Sequence, residues 1–378
     1  MTTKKIMLIA GEASGEEHGA SLVKAISSKS SNIIFTGIGG REMRAAGVDT
    51  FADCAELAVM GFTDVIGHLP TIIKIFKATV EHIKQQKPDL LILIDYPGFN
   101  LRLAKKAKQL GVKVLFYISP QVWAWRQGRV KSIAKVVDHM AVIFPFEVDF
   151  YSKANIPVTY VGHPLTHSVK SNLTTEQARE KFGIATTNKV VGLLPGSRNR
   201  EIQRLLPTIL ESARLIKLRV PNTQFIMPLA STIDKETIQT YLKRYAVDVK
   251  IVEGDNYNVM QACDALITSS GTATLEAALM TTPMVIIYKV PFVTGLIMRH
   301  LIKIKHVGLA NIVAGKNAVP ELLQERAKPK YISQAIIKML TDAQYQQQIV
   351  ADLTEVKTNL GHEDGSENVA KIALNMLA

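Results

Sequence analysis

The stretch Lys189-Val-Val-Gly-Leu-Leu-Pro-Gly-Ser-Arg198 joins a short apolar run to a turn of Pro, Gly and Ser. Such a run is typical of a strand that is buried on both faces, as strands of parallel sheets are. Similar runs alternate along the chain with segments of helical spacing. They are Ile6–Ala10, Ile33–Gly37, Leu90–Asp95, Lys113–Ile118, His139–Ile143, Thr223–Met227, Val249–Val252, Ala265–Thr268 and Met284–Tyr288. This alternation predicts an α/β protein with doubly wound parallel sheets.

The alternation of strands and helices is interrupted near Gly162–Ser171 and then resumes, which predicts two Rossmann-like domains. We expect the first domain over residues 1–165, the second over 166–345, and C-terminal helices over 346–378. The last helix, Asn368–Leu377, can pack on the first domain or on another subunit, and the sequence leaves both open.

Composition narrows the class of protein. The chain has 378 residues, 47% of them hydrophobic, which argues against global disorder. A formal net charge of +12 favours anionic partners such as nucleic acid, lipid head groups or phosphorylated ligands. The two cysteines lie far apart, which excludes a disulfide scaffold and a zinc site of the usual spacing. Without an apolar run of about 18 residues, no membrane-spanning helix is predicted, and a cytosolic protein is expected.

Three titratable residues follow strands of the first half. Glu12 and His18 belong to a Gly-rich loop, and Asp95 directly follows Leu90–Ile94. Ligands of doubly wound folds bind at the carboxyl ends of strands. Partial burial there would raise the pKa of Asp95 and suit it to act as a general base. The alternatives are that Asp95 caps the following helix and that Ser14 caps a plain strand-to-helix turn.

Two other motifs of this half are open to two interpretations. Gly37-Ile-Gly-Gly40 fails the dinucleotide fingerprint because Glu42 takes the position of the last glycine, so it indicates either close approach to a ligand or a tight turn. Tyr117–Trp125 contains both tryptophans and precedes Arg126 and Arg129. The tryptophans form either a cleft lip that stacks on a sugar or acyl chain, or a core anchor.

The second half carries two candidate phosphate sites. In the first, backbone amides at a Gly-Ser-Arg turn can bind phosphate oxygens while an arginine neutralises a diphosphate. In the second, a buried strand ends in hydroxylic residues at a helix start, where free amides favour anions. The residues are Gly196, Ser197 and Arg198 in the first, and Ser269, Ser270, Gly271, Thr272, Ala273 and Glu276 in the second. Glu276 is expected to accept bonds from ribose hydroxyls, or to belong to a capping box. Together the two sites favour a nucleoside diphosphate.

Two apolar segments have basic flanks. Val59–Val80 forms one helical stripe that Pro70 divides, and Pro291–His306 alternates apolar with basic residues. Each segment can lie in a membrane interface or pack as a core-facing helix.

These motifs resemble those of the lipid-A-disaccharide synthase family, in order over nearly the whole chain. The matching segments are Gly11-Glu-Ala-Ser-Gly15, Gly37-Ile-Gly-Gly40 with Met43, Ile94-Asp-Tyr-Pro-Gly-Phe-Asn100, Ser119-Pro-Gln-Val-Trp-Ala-Trp125, Val161-Gly-His-Pro-Leu165, Leu194-Pro-Gly-Ser-Arg198, Ser269-Ser-Gly-Thr-Ala-Thr-Leu-Glu276, Asn311-Ile-Val-Ala-Gly315 and Pro320-Glu-Leu-Leu-Gln324.

The resemblance implies a GT-B glycosyltransferase, with two Rossmann-like domains that face a cleft and C-terminal helices that pack back. It further implies an inverting reaction that joins UDP-2,3-diacylglucosamine to 2,3-diacylglucosamine 1-phosphate (lipid X) in Gram-negative lipid A biosynthesis. The first domain would then bind the acceptor and the second the UDP-sugar, with Asn311, Glu321 and Gln324 on the donor side. Asp95 is the expected base, with Glu12 and His18 as rivals.

The same resemblance implies no cofactor and no metal, since the UDP-sugar is a substrate. We expect a protein that is peripheral on the cytoplasmic face of the inner membrane and that has no nucleic-acid partner. The sequence does not decide between a monomer and a homodimer. The competing functions are a UDP-sugar epimerase of the same architecture, a basic nucleic-acid-binding protein and a non-catalytic membrane-surface module.

Overall fold

The computed structural model describes residues 3–57, 62–291 and 305–378, with only the backbone described for 62–67. The chain forms two compact units. Unit 1 comprises Met1–Pro164 together with His362–Ala378, and unit 2 comprises Leu165–Gly361.

The centre of unit 1 is a sheet of seven parallel strands in the order β3-β2-β1-β4-β5-β6-β7. The strands are β1 Lys4–Ala10, β2 Ile33–Gly39, β3 Val48–Asp53, β4 Leu90–Ile94, β5 Lys113–Tyr117, β6 His139–Val142 and β7 Val158–Tyr160. The sequence did not predict β3 and β7. Both are edge strands with half-exposed side chains, so neither reads as an apolar run.

Helices cover both faces of this sheet, which explains why its inner strands are almost wholly apolar. They are α1 Ala13–Ser27, α2 Arg41–Ala45, α3 Phe62–Gln86, α4 Pro97–Gln109, α5 Val122–Trp125, α6 Val130–Ile133, α7 Phe146–Ser152 and the last helix of the chain, α17 Gly365–Leu377. Short 3-10 turns occur at Cys54–Glu56 and Gln127–Arg129. One face packs against α1 and α17, and the other against α3 and α4.

Unit 2 is built around six parallel strands in the order β10-β9-β8-β11-β12-β13. The strands are β8 Lys189–Leu194, β9 Thr223–Leu229, β10 Lys250–Glu253, β11 Ala265–Ser269, β12 Met284–Tyr288 and β13 Glu321–Leu323. Its described helices are α8 Leu165–Ser168, α9 Thr175–Lys181, α10 Asn199–Arg219, α11 Lys235–Tyr245, α12 Asn256–Ala262, α13 Thr272–Leu279, α14 Leu309–Ala314, α15 Pro329–Thr341 and α16 Ala343–Leu360, with a 3-10 turn at Gln324–Arg326.

Both sheets confirm the predicted doubly wound α/β class. The strand order reverses between β1 and β4 in unit 1, and between β8 and β11 in unit 2. At such a reversal the loops after the two strands diverge and leave a crevice where ligands bind.

The two C-terminal helices belong to different units. α16 lies in unit 2, whereas α17 lies in unit 1 and packs on α1. Of the two options for the last helix, packing on the first domain is therefore the one observed in the monomer.

The first apolar segment, Val59–Val80, serves partly as core. Ile72, Phe76 and Val80 of α3 pack against the sheet, while Leu69 and Ile73 are each 46% exposed. Val59 and most of the second segment, residues 292–304, lie outside the described residues. None of the helices in the described part of the chain has the length and apolar character needed to cross a bilayer.

Candidate active site

Asp95 stands in an unusual backbone turn at the end of β4. Asp95 and Tyr96 both have a φ of 46°, in the left-handed region that non-glycine residues rarely adopt. The amide of Asn100, which is fully buried, donates to the carbonyls of Ile94 at 3.2 Å and Asp95 at 2.7 Å. Tyr96 is the N-cap residue of α4, so the helix-capping alternative for Asp95 is wrong.

Burial sets the acidity of Asp95. It raises the pKa of this carboxyl to about 6, and the neighbouring Glu12 carboxylate adds to the rise, against a lowering bond from the Tyr96 amide. Glu12 itself is exposed and accepts a bond from the Ser14 hydroxyl at 2.9 Å. A carboxylate that is ionised at neutral pH, yet has a raised pKa, is suited to accept a proton.

The structure also bears on the predictions for Ser14 and His18, which follow β1. Ser14 lies inside α1 and does not cap it, because the N-cap residue is Glu12. Burial lowers the pKa of His18, which keeps its ring uncharged at neutral pH. The His18 ring packs edge-on against Tyr117 with the ring centres 6.0 Å apart.

The Gly37–Gly40 motif serves packing within unit 1. A Cβ at Gly37 would lie 1.8 Å from the Leu8 carbonyl oxygen, and one at Gly40 would lie 2.3 Å from the Glu16 carboxylate. That carboxylate also accepts a bond from the Glu42 amide at 2.6 Å. Gly37 and Gly39 lie in β2 and Gly40 is the N-cap residue of α2, so the motif forms the packed end of a strand and not a tight turn.

A cavity of about 260 Å³ adjoins Asp95. It is lined by Asp95, Pro97, Ile118, Ser119, Pro120, Gln121, Val122, Trp125, Arg129, Ile143 and Phe144. Each of the two tryptophans fits one of the two interpretations of the motif: one is exposed at the cavity and the other is buried. Trp125 is 43% exposed at this cavity, with the Arg126 guanidinium 4.3 Å from its ring centre. Trp123 is buried and donates from its ring to Glu147 at 2.9 Å.

Unit 2 brings both predicted phosphate sites to one cavity of about 300 Å³, because β8 and β11 are neighbours. The predicted residues that line it are Gly196, Ser197, Arg198, Ser269, Ser270, Gly271, Thr272, Ala273 and Glu276. Burial raises the pKa of Glu276, which lies 3.4 Å from the Tyr257 hydroxyl. The capping box is wrong, since the N-cap residue of α13 is Gly271 and Glu276 lies beyond the first turn.

The Gly-Ser-Arg turn is shaped by Glu201. Its carboxylate accepts from the Ser197 amide at 3.2 Å, and a Cβ at Gly196 would lie 2.3 Å from it. Arg198 is 81% exposed and lies 3.3 Å from Glu201. An ion pair this exposed contributes little, so the guanidinium is free to turn toward an anionic ligand.

Asn311, Glu321 and Gln324 are not among the residues that line this cavity. The Glu321 carboxylate accepts from the amides of Val307 at 2.9 Å and Gly308 at 3.1 Å, and from the Asn311 side chain at 2.8 Å. Gln324 accepts from the amide of Val290 at 3.1 Å.

The segment that Glu321 holds contacts the second candidate phosphate site, Ser269–Glu276, which we call the cradle. The Ser270 hydroxyl donates to the Val307 carbonyl at 3.2 Å, and the Leu309 amide donates to the Thr274 hydroxyl at 3.1 Å. Glu321 and Asn311 therefore support the cradle through the segment Val307–Leu309 and do not line the cavity themselves. Among the described residues, no group of three or more His, Cys, Asp or Glu side chains could hold a metal ion.

Sequence reasoning missed Glu147 and the supporting function of Asn100. Both act through contacts with residues of other elements. The one signal in the sequence is that each closely follows a buried strand, Asn100 after β4 and Glu147 after β6.

Solved structures share the fold. UDP-N-acetylglucosamine 2-epimerase from Neisseria meningitidis, bound to UDP-N-acetylglucosamine, aligns with a TM-score of 0.58 and 12% identity over 99% of both chains. The calicheamicin glycosyltransferase aligns with a TM-score of 0.60 and 12% identity, covering 100% of this chain and 99% of the other. At this identity the likeness concerns the fold, which is that of GT-B glycosyltransferases and UDP-sugar epimerases.

Proteins of similar sequence identify the family of this chain more narrowly than the shared fold does. A family model described as lipid-A-disaccharide synthetase matches residues 6–376. Lipid-A-disaccharide synthase from Geobacter metallireducens is 50% identical over 374 residues, covering 99% of this chain and 97% of the relative. The synthase from Trichlorobacter lovleyi is 48% identical over 374 residues, covering 99% and 98%. The chain therefore belongs to the lipid-A-disaccharide synthase family of glycosyltransferases.

Proposed function

We propose that this enzyme transfers 2,3-diacylglucosamine from its UDP conjugate to 2,3-diacylglucosamine 1-phosphate, giving a β-linked disaccharide 1-phosphate and UDP. Unit 1 binds the acceptor and unit 2 binds the donor. The observation that carries the proposal is the Asp95 carboxyl, with a pKa of about 6, in a cavity whose lining includes an indole and a guanidinium.

In this proposal Asp95 is the general base. The oxygen of the acceptor's primary hydroxyl attacks the anomeric carbon of the donor, and its proton passes to the Asp95 carboxylate. The bond between the anomeric carbon and the diphosphate oxygen breaks, and its electron pair leaves with UDP. Attack in line with the leaving group inverts the anomeric carbon.

Unit 2 supports departure of the diphosphate. Negative charge develops on the leaving oxygens, and groups already aimed at that charge stabilise the transition state. The groups available to bind that charge are the amides at the start of α13, the hydroxyl of Ser269 and the exposed guanidinium of Arg198. Glu276 is suited to accept bonds from the ribose hydroxyls.

The lipid nature of both substrates suits a peripheral location on the cytoplasmic face of the inner membrane. On α3, Leu69 and Ile73 border a surface depression together with Pro70, Lys74 and Lys77. An exposed apolar pair with lysines beside it can insert at an anionic lipid surface.

The test incubates the purified protein with UDP-2,3-diacylglucosamine and lipid X and follows products by mass spectrometry. We expect disaccharide 1-phosphate and UDP in equal amounts. Asp95→Asn should abolish turnover while calorimetry shows UDP binding retained, and Arg198→Ala should weaken UDP binding. An epimerised donor without disaccharide would overturn the proposed reaction. Near-normal turnover by Asp95→Asn would overturn the assignment of Asp95 as the base.

A further inference from the structure

Glu147 is a fully buried carboxyl at the start of α7, with an exposed fraction of 1%. It accepts bonds from the Ser119 hydroxyl at 2.5 Å, the Trp123 ring nitrogen at 2.9 Å and the Phe144 amide at 3.1 Å. These three donors are neutral, and burial raises the pKa of the Glu147 carboxyl to about 7. Burying such a carboxyl is costly for stability unless it is hydrogen-bonded, and here each bond ties it to a defined part of unit 1.

The three bonds join two separate segments. Ser119 and Trp123 follow β5, and Phe144 follows β6. The same helix makes a further link, since the Tyr151 hydroxyl donates to the Pro120 carbonyl at 2.9 Å. Two side chains of α7 therefore bond to three residues of the segment after β5.

Both segments form the wall of the cavity beside Asp95. Ser119–Val122, Trp125 and Arg129 line it from the first, and Ile143 and Phe144 from the second. Glu147, Trp123 and Tyr151 are not among the lining residues. They are thus placed to determine the shape of the cavity without touching what binds there.

We propose that Glu147 is a positioning residue for acceptor binding, which holds the Ser119–Trp125 segment so that Trp125 and Arg129 meet the lipid-linked sugar phosphate. This inference rests on the proposed function in one respect, the identity of the acceptor. A loosened segment leaves the donor cradle of unit 2 intact, so the acceptor and donor should respond differently.

The kinetic test uses Glu147→Gln. In Glu147, one carboxylate oxygen accepts from both Ser119 and Trp123, and the other accepts from Phe144. Glutamine has only one acceptor oxygen, so its amide nitrogen must face donors on one of these two sides. In either orientation the side chain no longer bonds to both segments at once. We expect the KM for lipid X to rise about tenfold or more, while the KM for UDP-2,3-diacylglucosamine stays within roughly twofold.

Asp138→Asn is the matched control. Asp138 accepts from the Val114 amide at 2.7 Å and from Lys108 at 2.6 Å, at the amino-terminal edge of the same sheet. At a comparable loss of thermal stability this variant should change neither KM. Equal changes of both KM values in Glu147→Gln, or a rise in acceptor KM for Asp138→Asn, would overturn the inference.

A second readout does not depend on activity. The chain has two tryptophans, so Trp123→Phe leaves Trp125 as the sole indole. We expect acrylamide to quench Trp125 more strongly in Trp123→Phe/Glu147→Gln than in Trp123→Phe alone, because the segment is held less firmly. Unchanged quenching would overturn the inference even if the reaction proposed above is correct.

Should Glu147→Gln fail to fold, Trp123→Phe takes its place in the kinetic test, since it removes one of the bonds that Glu147 accepts from the segment and does not alter a lining residue. Failure of the proposed function shows itself separately, as absence of disaccharide from the unaltered protein. In that case the quenching result alone decides whether Glu147 holds the segment.

Discussion

Two side chains near Asp95 act on it in different ways. Asn100 holds the carbonyls of the strained turn, and so fixes where the Asp95 backbone lies. Glu12 acts through its charge, which adds to the raised pKa of Asp95. Asn100 therefore fixes the position of the proposed base, while Glu12 adds to a pKa that burial already raises, and each residue can be altered alone.

Glu12→Gln should shift the pH dependence of the reaction. Asp95 must be ionised to accept a proton, so kcat/KM falls as the pH drops through its pKa of about 6. Removing the neighbouring negative charge lowers that pKa, and the acid limb should move to lower pH. The measurement is kcat/KM between about pH 5 and pH 8. Loss of activity at every pH would instead identify Glu12 as the base.

The position of Asp95 could be predicted from the sequence, because a polar residue directly after a buried strand reaches the ligand-binding edge of a sheet. The position of Glu147 could not. Its partners Ser119, Trp123 and Phe144 lie 28, 24 and 3 residues away, and only the folded sheet brings them to one carboxyl.

At the scale of elements, the donor cradle depends on a segment that does not line it. Val307–Leu309 joins Ser270 and Thr274 to the Glu321 carboxylate behind them. The resemblance assigned Glu321 and Asn311 to the donor side. Their contacts support the cradle, so we expect them to affect a bound nucleotide indirectly.

Glu321→Gln should weaken UDP binding by roughly three- to tenfold, because a glutamine amide cannot accept from both Val307 and Gly308. Isothermal calorimetry with UDP measures the change. Glu211→Gln is a suitable control in the same unit, since Glu211 pairs with Arg214 on an exposed part of α10. Unchanged UDP affinity in Glu321→Gln would show that the segment does not support the cradle.

The exposed face of α3 gives a second prediction at this scale. Leu69→Ser/Ile73→Ser should reduce co-sedimentation with anionic phospholipid vesicles, while thermal unfolding changes little because both side chains are 46% exposed.

Ile75→Ser is the control for the core side of α3. Ile75 is only 7% exposed, so this change should destabilise the protein by about 3 kcal/mol. Full vesicle binding by the Leu69/Ile73 variant would contradict the membrane role of α3. The sequence showed the apolar stripe of this helix, but periodicity alone could not divide it into a core face and an exposed face.

For the whole molecule, the notable feature is that unit 1 is made from two distant parts of the chain. α17 contributes Val369, Ala370 and Ala373 to the core cluster that includes the buried face of α1. The Asn368 side chain also donates to the Val161 carbonyl at 3.3 Å. The sequence left open whether the last helix packs on the first domain, because an apolar face does not specify its partner.

Ala373→Asp tests this arrangement. Ala373 is fully buried, so a carboxylate there should cost several kcal/mol or prevent unit 1 from folding. Asn375→Asp introduces the same side chain at an exposed position of α17 and should leave stability within about 0.5 kcal/mol. Differential scanning calorimetry of both variants gives the comparison. Equal melting temperatures would exclude α17 from the core.

The position of α17 has a consequence for biosynthesis. The ribosome makes all of unit 2, Leu165–Gly361, between the two parts of unit 1. Until α17 emerges, the apolar surface that it covers on α1 has no native partner. We therefore expect the amino-terminal part of unit 1 to complete its core only after unit 2 has been made, with this apolar surface open to aggregation in the interval.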